Sequence, residues 1–98
     1  MSDPLTDDAI QAALRDLPGW SRDGDKLTKT FKFHSFREAI SFIVRLSFEA
    51  EQLNHHPEQL NVYSTVTLSL STHDAGGKVT QRDVDLATAV ESFNWLGK

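Results

Sequence analysis

Residues 65 to 71 alternate without a break: Val66, Leu68 and Leu70 sit between Thr65, Thr67, Ser69 and Ser71. Period two is the repeat of a β-strand, and apolar–polar alternation describes a strand with one buried face and one wet face. Such a strand is not stable alone, so the chain must supply partners along its edges and an apolar layer over its dry face. A second run repeats the pattern. Leu27, Phe31 and Phe33 point one way, Thr28, Thr30, Lys32 and His34 the other, and Lys29 interrupts the apolar side once. Asp23-Gly24 is a residue pair that tight primed turns favour, so Trp20–Arg22 and Lys26–Phe33 read as a hairpin. Pro57 cannot continue a helix, and the β-branched stretch from Glu58 to His73 reads as one long strand or as a hairpin turning near Tyr63 to Thr65; the weak turn chemistry of Asn61, Ser64 and Thr65 favours the hairpin.

Helical segments supply the covering layer. Thr6 is placed to cap a helix through about Asp16 that aligns Ile10, Ala13, Leu14 and Leu17, and Pro18-Gly19 stops it. Ser35 with Glu38 forms a capping box for a helix to about Leu53. Its expected buried arc is Phe36, Ile40, Ile43, Leu46, Ala50 and Leu53, with Val44 and Phe48 off that arc as an i, i+4 pair. Thr80 with Asp83 opens a last helix whose Leu86, Ala89, Val90 and Phe93 can meet the sheet. The expected fold is α+β: a four-stranded antiparallel sheet with helices packed on one face, in the order helix-strand-strand-helix-strand-strand-helix. The 98 residues fit one domain.

Composition removes several classes. No cysteine is present, so disulfides, thiolate nucleophiles and thiolate metal sites are excluded together, and stability must come from packing or subunit association. Ten basic residues against 14 acidic give a net charge of −4 with no basic cluster, which argues against direct nucleic-acid binding. No stretch approaches the roughly 18 apolar residues of a membrane span, and the start lacks a signal-peptide pattern, so a cytoplasmic protein is expected. The off-arc pair Val44 and Phe48 and the open sheet face predict self-association.

Chemistry concentrates in the histidines. His55-His56 precede Pro57, and His73 ends the second alternating run beside Asp74 and Gly76-Gly77. Histidine is the side chain whose ordinary titration suits proton transfer near neutrality, and element ends are where functional groups are held. A plain polar helix end explains His55-His56 equally well on local sequence. Glu51 stands four residues before His55, which predicts a carboxylate beside that imidazole. His55, His56, His73 and Asp83 are ligand types for a metal, yet adjacent histidines lack the i, i+4 spacing of a helical metal motif. A serine hydrolase is disfavoured, because Ser69 and Ser71 lie in a strand pattern and no Gly-x-Ser-x-Gly elbow exists. Asp83 reads either as the acidic half of a capping box or as a catalytic group.

The arrangement Glu51-x3-His55-His56-Pro57-x5-Tyr63-x9-His73, followed by Asp83, closely resembles the signature of the pterin-4a-carbinolamine dehydratases. The similarity extends through Pro18-Gly19-Trp20, Phe31-Lys32-Phe33, Asn61-Val62-Tyr63 and Leu70-Ser71-Thr72-His73-Asp74, over about residues 17 to 95. Gln59 stands where animal members carry an aromatic residue, and the loop from His73 to Asp83 is one residue longer than in them. The resemblance implies dehydration of 4a-hydroxytetrahydropterin to quinonoid dihydropterin, which recycles the cofactor of aromatic amino acid hydroxylases. It implies no metal or organic cofactor, and a homodimer or homotetramer, with a hydroxylase as a possible partner. His55 and His73 match the proposed acid/base groups, Glu51 is expected to orient His55, and His56, Pro57, Thr72, Asp74 and Asp83 are expected at the substrate. Because animal members also stabilise dimers of a homeodomain transcription factor, a non-enzymatic interaction protein is the alternative.

Overall fold

The computed structural model describes residues 3–93; the last two residues of the span that carries the resemblance lie outside it. It places α1 at Asp7–Leu14, β1 at Ser21–Asp23, β2 at Lys26–Lys32, α2 at Phe36–Gln52, β3 at Glu58–Val62, β4 at Thr65–Leu70 and α3 at Gln81–Phe93. A single 3-10 turn, His73–Ala75, lies between β4 and α3. The strands form one antiparallel sheet in the order β1-β2-β4-β3. The two alternating runs are its central neighbours: Leu27 stands opposite Leu70, and Phe31 opposite Val66. Residues paired across antiparallel strands share a face, so Leu27, Phe31, Val66, Leu68 and Leu70 make one dry surface, all of them buried. The expected α+β architecture is the observed one. On the opposite face hydroxyls pair across the strands, as Thr30 Oγ1 does with Thr67 Oγ1 at 3.0 Å.

Phe42 of α2 is the centre of the core. Its ring lies 4.7 Å from Phe31, 5.1 Å from Phe33 and 5.6 Å from Phe93, so one side chain joins β2, the end of that strand and α3. This fixes the rotation of α2. The residues it buries are Ala39, Phe42, Leu46 and Ala50, with Ile43 packed at the margin. The expected arc is therefore turned: Phe36, Ile40 and Leu53 lie exposed, while Ala39 and Phe42 take the core. Helical spacing permits either rotation, and the aromatic cavity formed by Phe31 and Phe33 selects the one that seats Phe42. The consequence is an uncovered i, i+4 row of Phe36, Ile40, Val44 and Phe48.

Both hairpin loops have two residues. Asp23 pairs with Lys26, so the turn is Gly24-Asp25, one residue later than Asp23-Gly24, with the positive φ of +60° falling on Gly24. Only the first central residue is left-handed, the pattern of a type II′ turn. Val62 pairs with Thr65, which makes Tyr63-Ser64 the second loop, within the expected region. Asn61 Nδ2 donates to the carbonyls of Tyr63 and Thr65 at 3.2 and 3.1 Å, holding Tyr63 at φ +53°.

Lys29 interrupts the apolar run for a structural reason. Its ammonium donates to Pro18 O at 2.7 Å and to Glu91 Oε2 at 2.8 Å, and it lies 4.9 Å from the Phe31 ring centroid. Trp20 Nε1 donates to the same Glu91 oxygen at 3.0 Å. The segment after α1 is thus tied to α3 across the sheet edge, and a Cβ on Gly19 would stand 2.8 Å from Lys29 Cε. Because this pair is largely withdrawn from water, Lys29→Ala is expected to cost about 2 kcal/mol of unfolding free energy, whereas loss of an exposed ion pair costs below about 1 kcal/mol. Urea denaturation of Lys29→Ala beside Lys78→Ala, whose partner Asp25 is half exposed, measures the contrast. Equal losses would refute the anchoring role.

Candidate functional site

The site begins where α2 ends. Leu53 caps the helix, Asn54 turns left-handed at φ +50°, and two bonds close the turn: His55 N to Ala50 O at 3.0 Å and Asn54 N to Glu51 O at 3.1 Å. This is the Schellman arrangement, with Asn in the position that glycine usually takes. It swings His55 off the helical surface and into the protein. Pro57 then directs the chain into β3.

His55 is 6% exposed and meets Asp83, which is fully buried at the first turn of α3. His55 Nε2 lies 2.5 Å from Asp83 Oδ1. Asp83 Oδ2 accepts from Thr72 Oγ1 at 2.9 Å and from Thr80 N at 2.8 Å, and the two threonine hydroxyls lie 2.6 Å apart. The bond to Thr80 N is the reach-back half of a capping box, so one oxygen of Asp83 starts α3 while the other holds the imidazole. The capping-box alternative read from the sequence is the one observed. Since a carboxylate only accepts, Nε2 carries the proton of this bond. Among the described residues every buried side-chain nitrogen and oxygen has a partner. Among the described residues Nδ1 has no bond, so the ring's residual exposure belongs to it.

That exposure opens on a cavity of about 360 Å³ lined by Asn54, His55, His56, Ser71, Thr72, His73, Asp74 and Arg82. The volume lies in the range of small-molecule sites, about 300–1,000 Å³. β4 delivers Ser71 and Thr72 to its rim, and the 3-10 turn that follows delivers His73 and Asp74, both exposed. Gly76 and Gly77 adopt φ of +74° and +77°, letting the chain return so that Thr72 N bonds Lys78 O at 2.8 Å. All three expected histidines therefore border one cavity, although 16 residues of sequence lie between the pair and the third.

Four expected placements change. Glu51 does not meet His55; its Oε1 lies 3.0 Å from His56 Nε2, and both side chains are exposed. The i, i+4 relation assumed a continuing helix, and the left-handed Asn54 breaks that register. Asp83, expected at the substrate, is sealed from the cavity and meets His55. Thr72 borders the cavity, but its hydroxyl is committed to Asp83 and Thr80. Pro57 is half-buried and outside the lining. Arg82 and Asn54 were not foreseen: Arg82 Nη2 donates to Asn54 O, clamping the turn that carries His55. Position next to Asp83 was the only signal for Arg82, and it is a weak one. Among the described residues no group of three or more His, Cys, Asp or Glu is arranged to hold a metal ion. What the geometry supplies is an imidazole fixed at one nitrogen and open at the other, facing two further imidazoles.

Comparison with known proteins follows the same lines. The family model for pterin 4 alpha carbinolamine dehydratase matches residues 3–93. A chain from Opitutus terrae named "Putative pterin-4-alpha-carbinolamine dehydratase" is 58% identical over 93 residues, covering 95% of this chain and 96% of its own length. One of the same name from Rhodopseudomonas palustris is 51% identical over 91 residues, covering 91% and 89%. The crystal structure of a transcriptional coactivator/pterin dehydratase from Brucella melitensis superposes with a TM-score of 0.86 at 35% identity, over 91% of this chain and 96% of that one.

The Asp83 network carries a stability consequence. Asp83→Ala strands three buried donors, and the expected loss is about 3 kcal/mol or more, at roughly 1 kcal/mol or more for each unsatisfied group. Asp83→Asn keeps an acceptor for Thr80 N and should lose less than half as much. Its amide would face His55 Nε2 as a donor and move the ring proton to Nδ1. Urea denaturation gives the first quantity and ¹⁵N chemical shifts of the His55 ring give the second; a ring whose tautomer is indifferent to Asp83→Asn contradicts the assignment.

Proposed function

This chain belongs to the pterin 4 alpha carbinolamine dehydratase family, and we propose that it removes water from 4a-hydroxytetrahydropterin to give quinonoid dihydropterin, with histidines as general acid and base. The observation that carries the reading is the buried Asp83–His55 pair at the wall of the shared histidine cavity. In the reaction the C4a–O bond breaks, the departing hydroxyl takes up one proton, N5 gives up one proton, and the double bond forms between N5 and C4a. Two proton transfers and no covalent intermediate are needed. Imidazoles suit both, and general acid/base assistance is worth about 10² to 10⁴ in rate, roughly 3 to 5.5 kcal/mol.

His55 is the better controlled group. Held through Nε2, it presents Nδ1 to the substrate in a set orientation, and Asp83 steadies it as a carboxylate steadies the imidazole of a catalytic triad. His73 stands on the opposing rim as the complementary acid or base. His56, tethered to Glu51, binds and positions substrate together with Asp74, Thr72 shapes the rim, and Pro57 serves by directing the chain away from it into β3. Glu51 thereby acts on His56 rather than on His55. The product re-enters the cycle that supplies aromatic amino acid hydroxylases with their pterin, in the cytoplasm; no helix among the described residues is long and apolar enough to cross a membrane.

A second property rests on α2. Phe36, Val44 and Phe48 are 49%, 49% and 69% exposed and, with Ile40, form one continuous row. They do not pack under the N-terminal segment. An apolar row of this extent marks a contact surface, and a second copy of the chain is the proposed occupant, giving a dimer or tetramer. The same row is what an interaction-only protein would use, so the histidines separate the two readings.

Steady-state dehydration with hydroxylase-generated substrate tests the activity. His55→Ala and His73→Ala should each lower kcat by about 10- to 100-fold, the double variant by about 10³ or more, and His56→Ala should chiefly raise KM. A double variant with unchanged turnover would leave only the interaction reading. For assembly, sedimentation or light scattering should give a multiple of the monomer mass at micromolar concentration, with Phe48→Asp shifting it toward monomer; a monomeric wild-type protein would falsify the contact.

A further inference from the structure

The hydrogen bonds that hold His55 do not end at Asp83. Oδ2 of that carboxylate takes the N–H of Thr80 at 2.8 Å, and the carbonyl of the same peptide group, Val79 O, accepts from Leu5 N at 2.8 Å. A peptide group is planar, and this one is trans, so its C=O and N–H point in opposite directions and cannot turn independently. Holding the carbonyl therefore aims the N–H. One line of bonds runs from Leu5 N–H through the Val79–Thr80 peptide and the Asp83 carboxylate to the His55 ring.

The local fold keeps that peptide still. Residues 78 to 80 run between two neighbours: Lys78 O accepts from Thr72 N at 2.8 Å on one side, and Val79 O accepts from Leu5 N on the other. Antiparallel bridges pair Thr72 with Lys78 and Pro4 with Thr80. Val79 and Thr80 are buried, so removing the Leu5 N–H would strand a carbonyl away from water. Leu5 is itself anchored. It precedes the Thr6 cap of α1 and packs against the core that contains Ile10, the place of a hydrophobic staple.

We infer that Leu5 is a positioning residue of the histidine site, acting through its backbone N–H: it fixes the peptide that fixes Asp83, and so the orientation in which His55 presents Nδ1. For its effect on turnover the inference rests on the dehydratase reading. Hydrogen bonds in series polarise one another, so a carbonyl that accepts makes the N–H of its own peptide a stronger donor to the carboxylate. Among the described residues none ahead of α1 lines the histidine cavity. The effect of Leu5 therefore falls on the orientation of the ring, and hence on kcat, rather than on substrate contact and KM.

The experiment compares wild type with a synthetic chain in which an ester replaces the Pro4–Leu5 amide, which removes the N–H and keeps the side chain, and with Leu5→Pro, its recombinant counterpart. The ester chain loses a single donor and carries the test should Leu5→Pro not fold. Ile10→Val, which thins the core at α1 and leaves the Val79–Thr80 peptide alone, is the control for lost stability. Steady-state dehydration gives kcat and KM, proton NMR follows exchange of the His55 Nε2–H with water, and urea denaturation gives stability. Removing the Leu5 N–H should lower kcat about three- to tenfold, the worth of one hydrogen bond, with KM unchanged, and should speed Nε2–H exchange about tenfold. Ile10→Val should do neither. Unchanged kcat and exchange in the ester chain, or equal changes in Ile10→Val, overturns the positioning role. Faster exchange in the ester chain of a protein whose wild type shows no turnover would overturn the dehydratase reading and leave the positioning of His55 standing.

Discussion

One buried carboxylate organises this protein. Asp83 is sealed from solvent, and its two oxygens accept from three places: His55 in the turn after α2, Thr72 beyond β4 and Thr80 just before α3. A buried carboxylate left unsatisfied would be costly, so these bonds form together or the local fold fails. The same constraint that starts α3 also sets the angle of the His55 ring. Stability and chemistry draw on one group, and that is why a cavity in so small a domain can hold an imidazole in a defined orientation.

The sheet works as the second constraint. Its dry face is closed by a cluster centred on Phe42, and its edge is fastened by Lys29, Glu91 and Trp20, which tie the segment after α1 to α3. Its wet face is left to hydroxyls, and at one end of it the strands deliver Ser69, Ser71 and the turn bearing His73 to the mouth of the histidine cavity. Polar residues that keep the strand amphipathic, Ser69 and Ser71, also lie beside His56 and His73. Meanwhile the seating of Phe42 turns four apolar residues of α2 outward, so the packing that closes the core also creates the surface proposed for assembly. Membership in the dehydratase family fits this division: a core, a histidine cavity and an apolar helix face, each supplied by a different side of the same elements.

Element order, strand alternation, both hairpins and the caps at Thr6, Ser35 and Thr80 were legible because each depends on residues within a few positions of one another. Local periodicity and local hydrogen bonding determine them. The histidines were legible as candidates by type and through the family signature. Their division of labour was not. Glu51 and His55 have helical spacing on paper, but the left-handed Asn54 ends that register, and no residue nearer than Asp83 takes the Nε2 bond.

What the sequence by itself determined is therefore the set of elements, the two faces of the sheet and the identity of the three candidate histidines, since side-chain chemistry and period are properties of the chain. Only the tertiary structure decided which carboxylate meets which imidazole, which face of α2 is covered, and that His73 joins His55 and His56 at one cavity. Those outcomes depend on contacts such as Asp83 with His55, 28 residues apart, and Phe42 with Phe31 on a different element. They are set by which buried polar group finds a partner and which aromatic ring fills the core.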